Sequence, residues 1–410
     1  MMNIKQQLLP LVALCGLTLN AHSQDINSKA LQFAAHQTKL LLTETAAVKK
    51  ESARPNLLSP RTLDKNGKLA LVSSKDWCSG FFAGNLLFLY EYTGDKSWLE
   101  QSEPFVTGME SEKTDGGTHD MGFKLYNSVG NAYRLTHEQK YKDDIIQAAR
   151  TLVTRFNPTI GCIKSWDNRK EWKFPVIIDN MMNLELLFEA TRLSGDSSFY
   201  KVAITHANTT LKNHFRQDNS SYHVIDYDPE TGNVLHKQTL QGFADSSAWA
   251  RGQAWGLYGY TMCYRETHNK VYLRQAEKIA KYIFSNTQMP ADLVPYWDYD
   301  AAKQPDQPRD ASAAAIAASA LYELSTYSAN SSTYKKEADK ILSSLYSRYQ
   351  AQPDSAHGFL LLHSTGHKPA NSEIDVPIIY ADYYYLEALL RQRRIAGKKP
   401  VINTAGLLKN

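Results

Sequence analysis

Thr93-Gly-Asp-Lys-Ser-Trp98 closes one helical run and opens the next. Before it, Gly80-Phe-Phe-Ala-Gly-Asn-Leu-Leu-Phe-Leu-Tyr-Glu-Tyr92 reads as a helix, and an amphipathic helix follows. The same junction recurs four more times. It appears as Thr136-His-Glu-Gln-Lys-Tyr141 after Gly122–Leu135, and as Ser194-Gly-Asp-Ser-Ser-Phe199 after Asn183–Leu193. It returns as Thr267-His-Asn-Lys-Val-Tyr272 after a helix from near Ser247, and as Ser328 through Tyr334 after Ala311–Thr326. Each has Ser or Thr, then turn residues, then an aromatic that begins the next helix, so one helical hairpin is being repeated. A first helix over Ile26–Lys49 and a last one over Ile378–Arg394 pair naturally. The reading predicts about twelve helices in six hairpins. The opposite connections, near 113–121, 157–176, 217–246, 290–310 and 351–377, are long and rich in Trp, His, Asp, Gly and Pro. Long loops on one face are where a helical repeat carries function. An all-α closed ring, an (α/α)6 barrel, fits both features; an open solenoid would show a more constant repeat. The segment 52–74 reads as loop, with a short strand at Leu69-Ala-Leu-Val.

The amino terminus carries Lys5, an apolar run from Leu8 to Leu19, and Ala21-His22-Ser23. That run is too short to span a membrane and reads as a signal peptide over residues 1–23, cleaved after Ser23. Residues 24–410 then form one exported domain. Leu14 before Cys15 argues against a lipid anchor. The remaining Cys78, Cys162 and Cys263 are odd in number and are expected as buried free thiols. No C-x-x-C or H-E-x-x-H motif is present, so no metal or other cofactor is expected. A net charge of +4 with no basic stripe excludes a nucleic-acid surface. Aromatics make up 11% of the chain, which suits a large core and also suits carbohydrate contact.

Gln241-Gly-Phe-Ala-Asp-Ser-Ser-Ala-Trp-Ala-Arg-Gly-Gln-Ala-Trp255 concentrates candidate ligand contacts. Arg251 and Trp255 lie four residues apart and share a helix face. An Arg fork suits a carboxylate, and a Trp offers an apolar face with one N–H. A buried helix with a structural Arg fits as well. Gly252 and Gly256 are costly in a helix and suggest close approach of backbone or ligand.

Asp120 and Asp179 stand at the starts of inner helices, as do Asp245, Asp298, Asp310 and Asp375. Taken singly, each is explained by helix capping. Two carboxylates facing each other among aromatics would suit sugar chemistry, one protonated and the other ionised. His119 and His223 are candidate donors or structural histidines, and Trp77 can stack on a sugar or fill the barrel.

The segments Trp77–Gly84, His119–Phe123, Ile178–Asn183, Gln241–Trp255 and Ile374–Tyr385 together resemble glycoside hydrolase family 88, the unsaturated glucuronyl hydrolases. The matches run in family order along nearly the whole mature chain. The resemblance implies an (α/α)6 barrel that removes a 4,5-unsaturated uronic acid from lyase-generated oligosaccharides. In this chemistry C4 of the enol ether is protonated and water adds at C5. Asp179 is similar to the family's general acid/base, and Asp120 to its second essential Asp. His223, Gln241, Arg251 and Trp255 match the uronate pocket, with Trp77, His119 and Trp166 as neighbouring contacts. The loop His363–Ser372 lies where relatives set sulfate selectivity, so Ser364 and Lys368 are candidate sulfate contacts. The partner implied is an unsaturated oligosaccharide, with glycosaminoglycan disaccharides foremost. Two other readings are an unsaturated rhamnogalacturonyl hydrolase acting on pectin fragments and a non-catalytic exported sugar-binding protein.

Overall fold

The repeated turn works through its hydroxyl. In the computed structural model, which describes residues 8–403 with side chains from 25 onward, that hydroxyl donates to the carbonyl four residues earlier. Thr93 reaches Leu89 at 2.7 Å, Thr136 reaches Ala132 at 2.9 Å, Ser194 reaches Ala190 at 2.6 Å, and Thr267 reaches Cys263 at 2.7 Å. The same oxygen accepts the N–H two residues on, from Asp95, Glu138, Asp196 and Asn269. The residue between is left-handed: Gly94, His137, Gly195 or His268. Asp95, Asp196 and Asn269 then cap the following helix. One side chain therefore quiets the end of a helix, and the capping residue two positions on quiets the start of the next.

The helices are α1 (Leu8–Glu51), α2 (Phe81–Thr93), α3 (Lys96–Thr107), α4 (Asn131–Thr136), α5 (Gln139–Val153) and α6 (Leu184–Ser194). They continue as α7 (Ser197–Asn213), α8 (Ala250–Thr267), α9 (Lys270–Ser285), α10 (Ala311–Leu324), α11 (Ser331–Ser344) and α12 (Ile379–Ala396). The even-numbered helices form an inner ring, in which α8 touches α10, α10 touches α12, and α12 returns to α2. Their role shows in their burial: every residue of α10 is buried, as is Ala250–Cys263 of α8. The outer helix α9 buries one stripe only, Tyr272, Gln275, Ala276, Ile279, Ala280 and Ile283. The sixth hairpin joins the two ends of the chain. Asn27 of α1 donates to Leu389 O at 2.8 Å and to Gln392 Oε1 at 2.7 Å on α12. The ring of six hairpins expected from the turns is the architecture observed.

Three details differ from the sequence reading. The run Gly122–Leu135 opens as a π-helix over Gly122–Gly130 before α4. The helix expected from Asn183 is preceded by a 3-10 segment, Ile178–Asn183. The helix expected near Ser247 starts at Ala250, because the Ser247 hydroxyl is spent on Asp298 at 2.7 Å. The long loops also hold three small sheets. They are β1 (Leu57–Leu63) with β2 (Leu69–Ser73), β3 (Phe156–Asn157) with β4 (Cys162–Ile163), and the three-stranded β5 (Pro175–Ile177), β6 (Val224–Tyr227), β7 (Val234–Gln238). Only β2 was foreseen. Cys78, Cys162 and Cys263 are free and buried. No helix among the described residues is long and apolar enough to cross a membrane. The signal-peptide expectation for 1–23 falls on residues whose side chains lie outside the described part.

Asn269→Ala removes the cap that accepts Val271 N–H at 3.0 Å. It should lower stability by about 1 kcal/mol, read as a lower urea midpoint with an unchanged slope.

Candidate active site

The three-stranded sheet sets the first two residues of the site. Antiparallel pairing aligns Ile177 with Val224, and one step further Ile178 N–H donates to His223 O at 3.1 Å. Asp179 and His223 are thereby fixed side by side at the mouth of the ring. The Asp179 segment is also stitched to the Asp120 segment. Asn183 Oδ1 accepts Phe123 N–H at 3.0 Å, and Gly122 lies so close that a Cβ there would sit 2.7 Å from Asn183 Cα. On its other side the segment rests on α8. A Cβ at Gly259 would meet Met181 Cβ at 2.5 Å, and one at Gly252 would meet the Trp249 ring at 2.7 Å and Ile178 Cγ2 at 3.2 Å. Gly252 is thus crowded by side chains rather than by the backbone or ligand expected there, and at Gly256 a Cβ would make only an ordinary contact with Phe215 at 3.4 Å. The more demanding glycine is Gly259, which the sequence reading passed over.

Asp179 is only 8% exposed. Burial raises its pKa from the usual carboxylate range to about 7; the positive charge of Arg251 opposes that shift and the negative charge of Asp120 adds to it. The indole N–H of Trp255 also favours the charged form, although it lies outside normal hydrogen-bond geometry. His223 Nδ1 accepts two backbone N–H groups, Leu240 at 3.1 Å and Gln241 at 3.2 Å. Its proton therefore sits on Nε2, which points at Asp179 Oδ2 from 3.6 Å. Burial holds His223 neutral, well below the usual imidazole range. His119 has the opposite arrangement. Its Nδ1 donates to Ser165 O at 2.8 Å, and Nε2 faces Asp120 Oδ1 at 3.3 Å. Burial lowers its pKa as well. Among the described residues, Asp179 Oδ2, His223 Nε2, His119 Nε2 and Trp255 Nε1 are all buried without a hydrogen-bond partner. Such atoms are costly to leave unpaired and are rare unless a ligand uses them.

Neither Asp120 nor Asp179 caps a helix. The other acidic candidates have structural occupations. Asp310 caps α10 through Ser312 N–H at 3.1 Å, Asp298 accepts from Phe243 N–H at 2.9 Å, Asp245 from Thr239 N–H at 2.9 Å, and Asp375 pairs with His363 at 2.7 Å.

A cleft of about 270 Å³ opens above, lined by Trp77, Trp166, Gln241, Arg251, His367 and Tyr380 among others. Asp120, Asp179 and His223 are not on its wall; Asp179 is tied to it through the charge of Arg251, which lines it. Trp77 packs on Tyr380 at 5.0 Å and on Phe123 at 5.3 Å. Trp166 stacks on Trp172 at 5.6 Å. Trp255 is fully buried between Phe123 and Tyr384. Gln241 Nε2 donates to Gly366 O at 3.2 Å.

Arg251 is used differently from a free fork. Nη1 donates to Asp310 Oδ2 at 2.9 Å and to Thr365 O at 2.6 Å, and Nη2 donates to Gly366 O at 2.6 Å. Most of its donors are committed to the protein.

The two sulfate candidates lie outside the wall of this cleft. Ser364 is fully buried, with its backbone paired to Val376, and Lys368 extends over the Trp297 ring at 6.0 Å. Neither lines the cleft; His367, Ser372 and Glu373 of that loop do. Arg61 was missed altogether. It lines the cleft while held by Glu373 at 2.5 Å and Asp76 at 2.7 Å, and its place in a strand gave no functional signal.

This geometry supplies a protonated carboxyl, a neutral imidazole donor and a second carboxylate, all facing inward beneath an aromatic cleft. The family model described as Glycosyl Hydrolase Family 88 matches residues 59–391. The chain belongs to glycosyl hydrolase family 88. It is similar to an unsaturated glucuronyl hydrolase of Formosa agariphila, 52% identical over 80% of this chain and 82% of the relative. An unsaturated chondroitin disaccharide hydrolase of Streptococcus pyogenes serotype M1 is 30% identical over 90% of this chain and 92% of its own length. Among solved structures, an unsaturated glucuronyl hydrolase specific for heparin superposes with a TM-score of 0.84 at 44% identity, covering 91% of this chain and 99% of the other.

In this family 88 chain the raised pKa of Asp179 carries a stability cost with a definite sign. Below the unfolded pKa, near 4, both states hold the proton and nothing is lost. Between pH 4 and about 7 only the folded state keeps it, so stability falls as pH rises; above 7 the full cost is present. Asp179→Asn should therefore be more stable than the parent at pH 8, by up to roughly 4 kcal/mol, and unfold at a higher temperature, with the gain fading towards pH 4. Thermal melts across that range measure it.

Proposed function

We propose that this chain hydrolyses the glycosidic bond of a non-reducing-end 4,5-unsaturated uronic acid, on disaccharides that lyases release from glycosaminoglycans. The single observation that carries the reading is Asp179, a buried carboxyl protonated near neutrality, set against Asp120, His223 and Trp255. The names of its relatives point the same way: unsaturated glucuronyl hydrolase, and unsaturated chondroitin disaccharide hydrolase. One solved relative, 29% identical with a TM-score of 0.73, was captured with dGlcA-GalNAc6S.

Asp179 delivers its proton to C4, and positive charge develops at C5 and the ring oxygen. The resulting carboxylate then takes a proton from the water that adds to C5. The hemiketal formed at C5 opens to a ketone, C1 is left as a hemiacetal, and the aglycone departs. His223 Nε2–H and Trp255 Nε1–H are the donors aimed at the sugar beside Asp179. Asp120 receives its hydroxyls and, through its charge, keeps Asp179 a weak acid. Trp77 and Trp166 supply the stacking walls, and His119 is a neighbouring contact beside Asp120. Arg251, held by Asp310 and two carbonyls, shapes the carboxylate end of the pocket together with Gln241. We further propose that the chain is exported, on the strength of Lys5, the apolar run Leu8–Leu19 and the small residues before Gln24.

Mixing the protein with unsaturated chondroitin, hyaluronan and heparin disaccharides should abolish the ultraviolet absorbance of the conjugated double bond. Binding without any loss of absorbance would support the sugar-binding alternative instead. Asp179→Asn should fold, bind the disaccharide and lose about 10²–10⁴-fold in turnover; near-normal turnover would move the acid to Asp120. Arg251→Lys keeps the charge but cannot span Thr365 O, Gly366 O and Asp310 together. Steady-state kinetics should show at least a roughly tenfold fall in kcat/KM, the scale of one charged hydrogen bond.

A further inference from the structure

Asp310 caps the start of α10, outside the cleft wall, and is fully buried. One carboxylate oxygen caps its helix, accepting from Ser312 N–H at 3.1 Å and Ser312 Oγ at 2.5 Å. The other accepts from Arg251 Nη1 at 2.9 Å, from the neighbouring inner helix α8. Arg251 passes the connection on to Thr365 O and Gly366 O, both at 2.6 Å. Its guanidinium lies over the Trp249 ring at 4.5 Å and 5.3 Å from the Tyr380 ring. The segment it grips is a closed hairpin. Ser364 and Val376 exchange two backbone hydrogen bonds at 3.0 Å, and His367 and Ser372 exchange two more at 3.0 and 3.1 Å. Gly366, His367, Ser372 and Glu373 on that hairpin form one wall of the cleft.

We propose that Asp310 is a positioning residue for the reaction: through Arg251, and through its own contact with Thr365 N–H at 3.4 Å, it fixes the 364–376 hairpin over the cleft, and it sets the charge that Asp179 faces. The proposal rests on Asp179 being the proton donor. Three charged or titratable groups face Asp179: Arg251 from α8, Asp120 from the segment before the π-helix, and the neutral His223 ahead of β6. Arg251 in turn faces Asp310, Asp179 and the phenol of Tyr380. Around the rim, Glu373 is neutralised by Arg61 at 2.5 and 2.9 Å, and His119 is turned to Asp120. Among the described residues, Asp310 is the carboxylate in an ion pair with Arg251. The charge of Arg251 favours the ionised form of Asp179 against its burial, and an ionised acid has no proton for C4. Asp310 places a buried negative charge directly on that guanidinium, and so opposes its pull on the acid.

Asp310→Asn is nearly isosteric and keeps an oxygen to cap α10, but it removes the counter-charge. The titration of Asp179 can be followed by 13C NMR in Asp-labelled protein, with the signal assigned by its loss in Asp179→Asn. In Asp310→Asn the midpoint should fall by about half a pH unit or more, and the alkaline limb of the kcat profile should move down with it. KM should rise several-fold as the hairpin loosens. A folded Asp310→Asn protein with both the midpoint and the limb unmoved would overturn the proposal, whatever its KM. If that variant does not fold, Arg251→Gln is compared with Arg251→Gln/Asp310→Asn, in which no buried charge is left unpaired. The Asp179 midpoint should be lower in the double variant, and equal midpoints would overturn the proposal. Failure of the underlying reading looks different: the parent's kcat limb would not follow the titration of Asp179 at all.

Discussion

Everything at the mouth of this barrel follows from removing the Asp179 carboxyl from water. An isolated buried carboxylate is among the costliest things a fold can hold. Here the cost is met by keeping the group protonated, and that same protonation is what makes it useful. Burial requires close backbone approach on two sides, and glycine provides it. Gly122 allows the Asp120 segment to lie on Asn183, and Gly259 allows α8 to lie on Met181. A sheet of three short strands then sets His223 beside the acid with its proton on the nitrogen that faces it. The acid, its charged neighbour and its donor are thus held by backbone contacts rather than by long flexible side chains.

The second organising feature is the buried pair Arg251–Asp310. Buried ion pairs are weak contributors to stability, and their best-attested use is to specify arrangement. This one spans two inner helices and ends on the carbonyls of a loop, so it converts the rigidity of the ring into the position of a cleft wall. An Arg in a sugar-acid pocket invites the reading of a carboxylate fork. Its donors, however, are mostly committed before any ligand arrives.

Much of the fold was legible because the turn repeats. The Ser/Thr hydroxyl, the left-handed residue and the cap are local chemistry, and local chemistry is what a sequence states directly. The three sheets were less legible. β6 and β7 lie in a stretch that reads as loop, and the pairing of β6 with β5 joins residues some fifty positions apart. The site was legible residue by residue through the family motifs around Asp120, Asp179 and Gln241–Trp255. Their occupations were not. Whether an Asp caps a helix or faces a cleft depends on which atoms lie within 3 Å, and Asp120, Asp179, Asp298 and Asp310 look alike in the chain. The placement of Ser364 and Lys368 was hidden for the same reason: the hairpin that carries them buries the one and sets the other over Trp297.

The hairpin made by α1 and α12 has a consequence for how the chain reaches this state. The ring is sealed by contacts such as Asn27 with Leu389, separated by 362 positions. Five hairpins form from neighbours in sequence and can condense as they are made, but the sixth waits until nearly the whole chain is available. Until then the apolar flanks of α2 and α10, which α12 covers in the finished ring, have no partner. Such long-range closure slows folding and leaves sticky surface exposed in the intermediate. The last helix is therefore the latch of the folding pathway, and the open ring is the species on which chaperones, proteases and self-association act.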